Sequence, residues 1–432
     1  MRVVRVQILA LISTLFICSV AARGQLIAGA AKVSITPDQK QFSYQLGGYV
    51  SPDRTGHNAV GVHDNCYARA LVLSQGNSRA AIVSVDLCFL PGNVRDMVAL
   101  RVENIGFKRE NLFLSATHTH SAPDPLAMHS LNNLPAGKLS SFDPKLTDWI
   151  CDRIAESITT AVKEAVPAKA GSGQLEKLGL NRNRRGETVT DDEMTGLKVT
   201  HIDGKPIAFV LNYAAHPVYF GSEMLQVSGD WSGAYENQME ALNPGAVALF
   251  LNGAGGDASP NGADAGTSAE KIMTYSAKIT EKSIALLSQI VPTDGVTFRS
   301  WSHETPMPPQ KPHPSFMLAS ILMKATPEQA KDLINRVMPA KIEISYLQIG
   351  PLLLMGVPGE PTTPIGLAAK ASAREKGIKN PAIVALTNGW IGYIVTPEQY
   401  KAGKYEPTMS FYGDQVGVFV LDGIRQGLNS IK

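Results

Sequence analysis

The chain has 432 residues, 44% of them hydrophobic and 18% charged, with a formal net charge of +2. That length supports a large buried core, in one big domain or two ordinary ones. The charge supplies no field for nucleic acid and no long basic run is present, so nucleic-acid binding is excluded.

Met1 to Gln25 has the form of an export signal. Arg2 and Arg5 precede an apolar run from Ile8 to Val20, and Ala22 and Gly24 are small enough for cleavage before Gln25. Residues 1–24 are therefore expected to be a signal peptide, 25–432 a single domain, and the mature protein periplasmic or extracellular. Removal of the leader takes Cys18 with it and leaves Cys66, Cys88 and Cys151, enough for one bridge at most. Cys66 and Cys88 lie in apolar surroundings that suit buried free thiols.

In chain order, Leu26 to Pro37 is a small-residue strand closed by proline, and a Gly-, Pro- and Asp-rich loop follows to Gly61. Ala68–Leu73 and Ala80–Leu87 form two strands joined through Gln75-Gly76-Asn77, a hairpin signal. Helices are predicted over Asn93–Val102 and Pro144–Val166, with an apolar strand opening at Leu112 between them. After a basic turn at Leu180–Gly186 come strands at Gly196–Val199 and Ile207–Tyr213, a helix at Tyr235–Leu242, a strand at Val247–Leu251 and a helix at Ala269–Ile290. Proline-dense Met307–Pro314 and a helix at Pro327–Val337 read as a covering insertion over 307–340. Strands return at Ile342–Ile344, Leu352–Met355 and Ala382–Leu386. This interleaving predicts an α/β fold, a mixed β-sheet core flanked by helices with the active site at strand carboxyl ends.

Those strand ends share a pattern: an apolar run, a small residue, then a chemically capable side chain. Leu112–Leu114 runs into Ser115-Ala116-Thr117-His118-Thr119-His120, where two-residue alternation would put both histidines on one face. The other ends supply His216, Glu360 and Tyr393. Mixed nitrogen and oxygen donors suit Zn²⁺ better than Mg²⁺ or Ca²⁺. Each residue also has an ordinary reading: His118 and His120 as hydrogen-bonded loop histidines, Glu360 as a helix-leading carboxylate, His216 as part of a packed turn, Tyr393 as an aromatic wall. The loop Asn252–Asn261 lacks the Lys-Ser/Thr ending of a P-loop, and Ser259 has no G-x-S-x-G setting.

An ordered set of motifs resembles the neutral/alkaline non-lysosomal ceramidase family: GYVSPDRTG from Gly48, GVHDNCYARA from Gly61, SATHTHSAP from Ser115, NRNRR from Asn181, NYAAHPV from Asn212, VSGDWSGAYE from Val227, NGAGGDASPN from Asn252, VPGEPTT from Val357, GYIVTPEQY from Gly392 and KYEP from Lys404. The resemblance implies a secreted zinc amidohydrolase with one Zn²⁺ per chain, held by His118, His216, Glu360 and Tyr393. It implies that His120, Arg184 and Tyr405 surround the scissile amide, that Ser259 lies in a loop associated with catalysis, and that the substrate is ceramide or a related N-acyl lipid. A lipid substrate implies transient contact with a membrane surface. Three departures stand out. Ala122, then Asp124-Pro125, replace the family's glycines; Arg185 stands where the family has serine; and the chain ends at Lys432, without the family's C-terminal immunoglobulin-like domain. Two other functions fit the same residues: a zinc hydrolase of a different small amide or ester, and a secreted binding protein with a degenerate site.

Overall fold

A computed structural model describes residues 24–134, 140–316, 320 and 325–431. Residues 1–23 of the expected leader lie outside them. Eight strands form one large sheet, in the spatial order Val247–Asn252, Pro206–Tyr213, Met194–His201, Val166–Leu175, Ile27–Ser34, Tyr67–Gln75, Ser78–Val85 and Leu112–Ala116. The outermost pair at each edge is parallel and the rest are antiparallel. A second sheet of four strands follows the order Phe298–Pro306, Lys341–Ile349, Leu352–Gly356 and Asn380–Val384, with the last pair parallel.

The two sheets pack face to face. Strand alternation sends Leu71, Leu73, Ala80, Ile82, Val210 and Leu249 inward against Leu347, Leu352, Leu354 and Val384 of the second sheet. The alternate residues point outward under helices. Gly92–Val102 and Pro144–Lys163 cover one half of the large sheet, and Asp230–Leu242 and Ser268–Gln289 cover the other. Thr363–Glu375 and Val416–Leu428 cover the small sheet. Burial on both faces explains why these strands read as continuous apolar runs instead of alternating ones.

The expected helix over Pro144–Val166 ends at Lys163, because Val166 already begins a sheet strand. Phe298–Pro306 is an edge strand whose exposed face carries Ser300, Ser302 and Glu304, which hides it from a reading based on apolar runs. The hairpin at Gln75-Gly76-Asn77 forms as expected, with Gln75 opposite Ser78.

Asn212 and Asn388 tie the two sheets together where their carboxyl ends meet, and Asn252 joins two loops of the large sheet beside them. Asn212 Nδ2 donates to the carbonyls of Leu251 and Ile383, both at 2.9 Å, one in each sheet. Asn388 Nδ2 donates to Leu112 O at 3.0 Å while its Oδ1 accepts from Leu114 N at 3.0 Å. Asn252 Nδ2 reaches Thr117 O at 3.3 Å and Ala215 O at 3.2 Å, next to the histidines. Replacing Asn212 with Ala should lower stability by about 1–3 kcal/mol, since two buried carbonyls lose their shared donor. Equilibrium urea unfolding of Asn212→Ala against the parent measures this, and an unchanged midpoint would remove Asn212 from the account.

Candidate metal centre

His118 and His120 lie beyond the strand Leu112–Ala116, not within it. His118 adopts a left-handed backbone, φ 77°, a conformation that costs a non-glycine residue of order 1–3 kcal/mol. This turn, and not strand alternation, brings the two rings together, with centroids 4.8 Å apart and Nε2 atoms 3.4 Å apart. His120 then packs on Gly48, whose φ is +92° and where a Cβ would sit 2.4 Å from the imidazole.

His216 follows the strand Pro206–Tyr213. Glu360 and Tyr393 are paired residues of a short parallel ribbon, Glu360–Pro361 with Tyr393–Ile394, so strand pairing itself sets the carboxylate beside the phenol. The donor atoms converge. His118 Nε2 is 3.1 Å and His216 Nε2 3.6 Å from Glu360 Oε2, and His216 Nε2 is 3.3 Å from the Tyr393 hydroxyl. All four residues are at most 5% exposed.

The tautomers follow from the partners. His118 Nδ1 is 2.6 Å from Cys88 O and His216 Nδ1 is 3.1 Å from Ala258 O; a carbonyl only accepts, so each Nδ1 carries its proton. In the neutral rings both Nε2 lone pairs then face the Glu360 carboxylate, whose Oε2 is buried and without a hydrogen-bond donor. Three electron-rich atoms turned toward one point call for a cation. Backbone carbonyls on Nδ1, and Trp390 Nε1 donating to Glu360 Oε1 at 2.9 Å, are the outer contacts that orient metal ligands. Tetrahedral coordination at 2.0–2.1 Å separates neighbouring donors by about 3.3–3.4 Å, close to the spacings found here. His118, His216 and Glu360 could therefore hold a metal ion.

Burial pulls the His118 imidazolium down, but the Glu360 carboxylate and Cys88 outweigh it and hold His118 well above its usual value. Burial, with Arg184 and His118 nearby, drives His216 down to about 3. Burial together with His118 and His216 holds His120 well below its usual value, so His120 is neutral.

Arg184 lies beside this cluster. Its Nη2 donates to the Tyr393 hydroxyl at 3.0 Å and to Gly256 O at 2.7 Å. Tyr405, 54% exposed, stands at the mouth, edge-on to Tyr393 with ring centroids 5.7 Å apart and 5.4 Å from the Arg184 guanidinium. Above the donors opens a cavity of about 110 Å³ walled by Val50, Phe89, Leu126, Leu134, Trp390, Met409 and Phe411. Phe316, Ala325, Leu333, Ile334 and Val337 complete it, so the expected covering insertion contributes one wall.

Ser259 is not brought into this cavity. It lines a separate surface pocket with Arg182, Tyr219 and Lys271, while Ala258, one residue earlier, holds His216. The family departures resolve locally. Ala122 is buried, and Asp124 caps the short turn Pro125–Met128 by accepting from Leu126 N at 2.9 Å. The three cysteines of the described chain are buried and unpaired.

Three partners went unread in the sequence: Trp390, Glu406 and Arg185. Glu406 is buried between two guanidiniums, accepting from Arg184 Nε at 2.9 Å and from Arg185 Nη1 at 2.5 Å. Arg185 also donates to Glu187 Oε1 at 2.8 Å and Gly403 O at 3.2 Å, fastening the segment that carries Tyr405. The only hint in the sequence was Arg185 in a serine position. Glu406→Ala should destabilise the protein by about 3–5 kcal/mol, because Arg184 loses its carboxylate partner and Arg185 keeps only Glu187. Chemical denaturation reads the loss, and a cost below that of an ordinary surface substitution would show that the clamp holds nothing.

A family model for neutral/alkaline non-lysosomal ceramidase, N-terminal, matches residues 27–287 and 320–418. Neutral ceramidase B of Dictyostelium discoideum is 24% identical over 489 residues, spanning 85% of this chain and 67% of that protein. The neutral ceramidase of Mycobacterium tuberculosis is 23% identical over 461 residues, spanning 85% and 71%. The crystal structure of neutral ceramidase from Pseudomonas aeruginosa shares the fold, with a TM-score of 0.78 at 20% identity over 94% of this chain and 75% of that one. With the motif order, the matched residues and the fold in agreement, the chain belongs to the neutral/alkaline non-lysosomal ceramidase family.

Proposed function

We propose that the protein is a zinc-dependent amidohydrolase that cleaves the N-acyl amide of ceramide or a related N-acyl lipid. The observation that carries this reading is a cluster of nitrogen and oxygen donors at the base of an apolar cavity. The relatives named neutral ceramidase support a hydrolase acting on an amide bond. His118, His216, Glu360 and Tyr393 are the residues that would hold the ion. Zinc bound there would act as a Lewis acid toward water and the scissile carbonyl.

The chain's own residues supply the rest. Neutral His120 has a ring nitrogen free to take the proton of the attacking water and return it to the departing amine nitrogen. Arg184 and Tyr405 are the donors nearest the mouth, placed to stabilise the carbonyl oxygen as it gains charge, where one preorganised donor contributes about 3–4 kcal/mol. The Glu406 clamp keeps Arg184 aimed inward. The aliphatic and aromatic walls exclude water and offer a place for an alkyl chain. Ser259 opens to another face and receives no part in bond breaking. The leader over residues 1–24 makes this an exported enzyme, periplasmic or extracellular. Among the described residues no helix is long and apolar enough to cross a membrane.

His118→Ala and Glu360→Ala should each lose the ion and hydrolysis together; full zinc content with unchanged turnover in both would sink the assignment. His120→Gln should keep the ion yet lower kcat by about 10²–10⁴-fold, as expected for loss of a proton carrier. Assays on N-acyl lipids, esters and phosphoesters decide the substrate class, and turnover of the latter two alone would reject the amidase reading.

A further inference from the structure

The cavity also holds a sulfur that the proposed reaction does not use. Cys88 follows the strand Ser78–Val85 and lines the same cavity as His118 and His120. Its Sγ lies 3.6 Å from His118 Nδ1, which carries its proton toward Cys88 O, so the nitrogen His118 can offer an ion is Nε2, 3.4 Å from His120 Nε2. One donor atom from each of Cys88, His118 and His120 falls within 4.8 Å of the other two, as do the donors of His118, His216 and Glu360. His120 is 7% exposed, its Nδ1 has no hydrogen-bond partner, and its Nε2 meets His118 Nε2. Two triads therefore overlap at His118 and differ in chemistry. One offers sulfur and two imidazoles; the other offers two imidazoles and a carboxylate. Thiolate selects soft ions, whereas carboxylate favours harder ones.

We propose that Cys88, His118 and His120 form an alternative position for a soft divalent ion such as Cd²⁺. Because His118 belongs to both triads, the two positions fill one at a time, and a soft ion in this position displaces the ion of the His118–His216–Glu360 triad. On binding, the Cys88 S–H bond breaks as the sulfur–metal bond forms, and the proton passes to the buffer; no electron moves. The inference rests on His118 being a metal ligand and is independent of amide hydrolysis.

The test is spectroscopic. The full protein is loaded with Co²⁺ and then titrated with Cd²⁺. The Co²⁺ form should show no sulfur-to-metal charge-transfer band. Cd²⁺ should release Co²⁺ one for one as an ultraviolet thiolate-to-cadmium band rises. In Cys88→Ser, Cd²⁺ should still bind but without the band, and Cys88→Ala provides a second variant should serine fold poorly in this apolar place. Stoichiometric Cd²⁺ binding without the band in the parent, or a band that survives in both variants, would overturn the proposal. Cd²⁺ uptake with Co²⁺ retained would overturn the shared ligand. Failure of both ions to bind would instead overturn the reading of the first triad, and this one with it.

Discussion

The site depends on a junction between two sheets that share no strand. Asn212 and Asn388 close it, each with its side-chain amide on backbone groups across the junction, while the Asn252 amide joins the loops after two strands of the large sheet. Main-chain bonds reinforce them: Ala385 N donates to Asn252 O at 2.9 Å and Asn388 N to Leu114 O at 2.8 Å. Buried polar backbone must find partners, and here the strand ends of one sheet satisfy those of the other. The loops that leave these ends are consequently held in register with one another. Donors arriving from both sheets thus meet within hydrogen-bonding distances although they are far apart in sequence.

Two local devices convert that register into a metal-sized gap. The left-handed turn at His118 folds its imidazole back toward His216, and the ribbon of Glu360 with Tyr393 delivers two oxygen donors side by side. Gly256 is needed beneath that ribbon, since a Cβ there would lie 2.6 Å from Glu360 O. Behind His118, Thr117 donates to Asp86 at 3.1 Å, and Asp86 in turn meets buried Arg69, which also binds Glu236 and Glu240. A charged brace anchored in the helix Asp230–Leu242 therefore stands directly behind the histidine turn.

Much of this was legible in the sequence because apolar runs that stop abruptly at polar residues are a strong signal for buried strand ends. His118, His120, His216, Glu360 and Tyr393 could be pooled on that ground, and the structure gathers them, with Arg184 and Tyr405, around one cavity. The double-sheet arrangement was not legible. Residues such as Leu71 and Val72 are equally apolar, and nothing in their identity says that one faces a second sheet and the other a helix. The route by which His118 and His120 converge was also misread, because strand alternation was extended past Ala116 into a left-handed turn. Ser259 was placed by its motif, yet in the short strand Ala258–Pro260 it lines a different pocket from the one above the donors. Glu406 escaped notice, and Arg185 stood out only as a departure from serine, because a salt bridge between distant segments leaves no periodic trace.

The ribbon of Glu360 and Tyr393 has a bearing on how the protein matures. His118 and His216 leave strands of the large sheet, while the oxygen donors come from the last third of the chain, beyond the central strands of the small sheet. A partly folded chain holds two nitrogen donors and no carboxylate between them, which is a poor grip on any divalent ion. The complete donor set therefore exists only where the two sheets are closed on each other. An ion held there would seal a finished fold, and metal content would count how many molecules in a population have completed it.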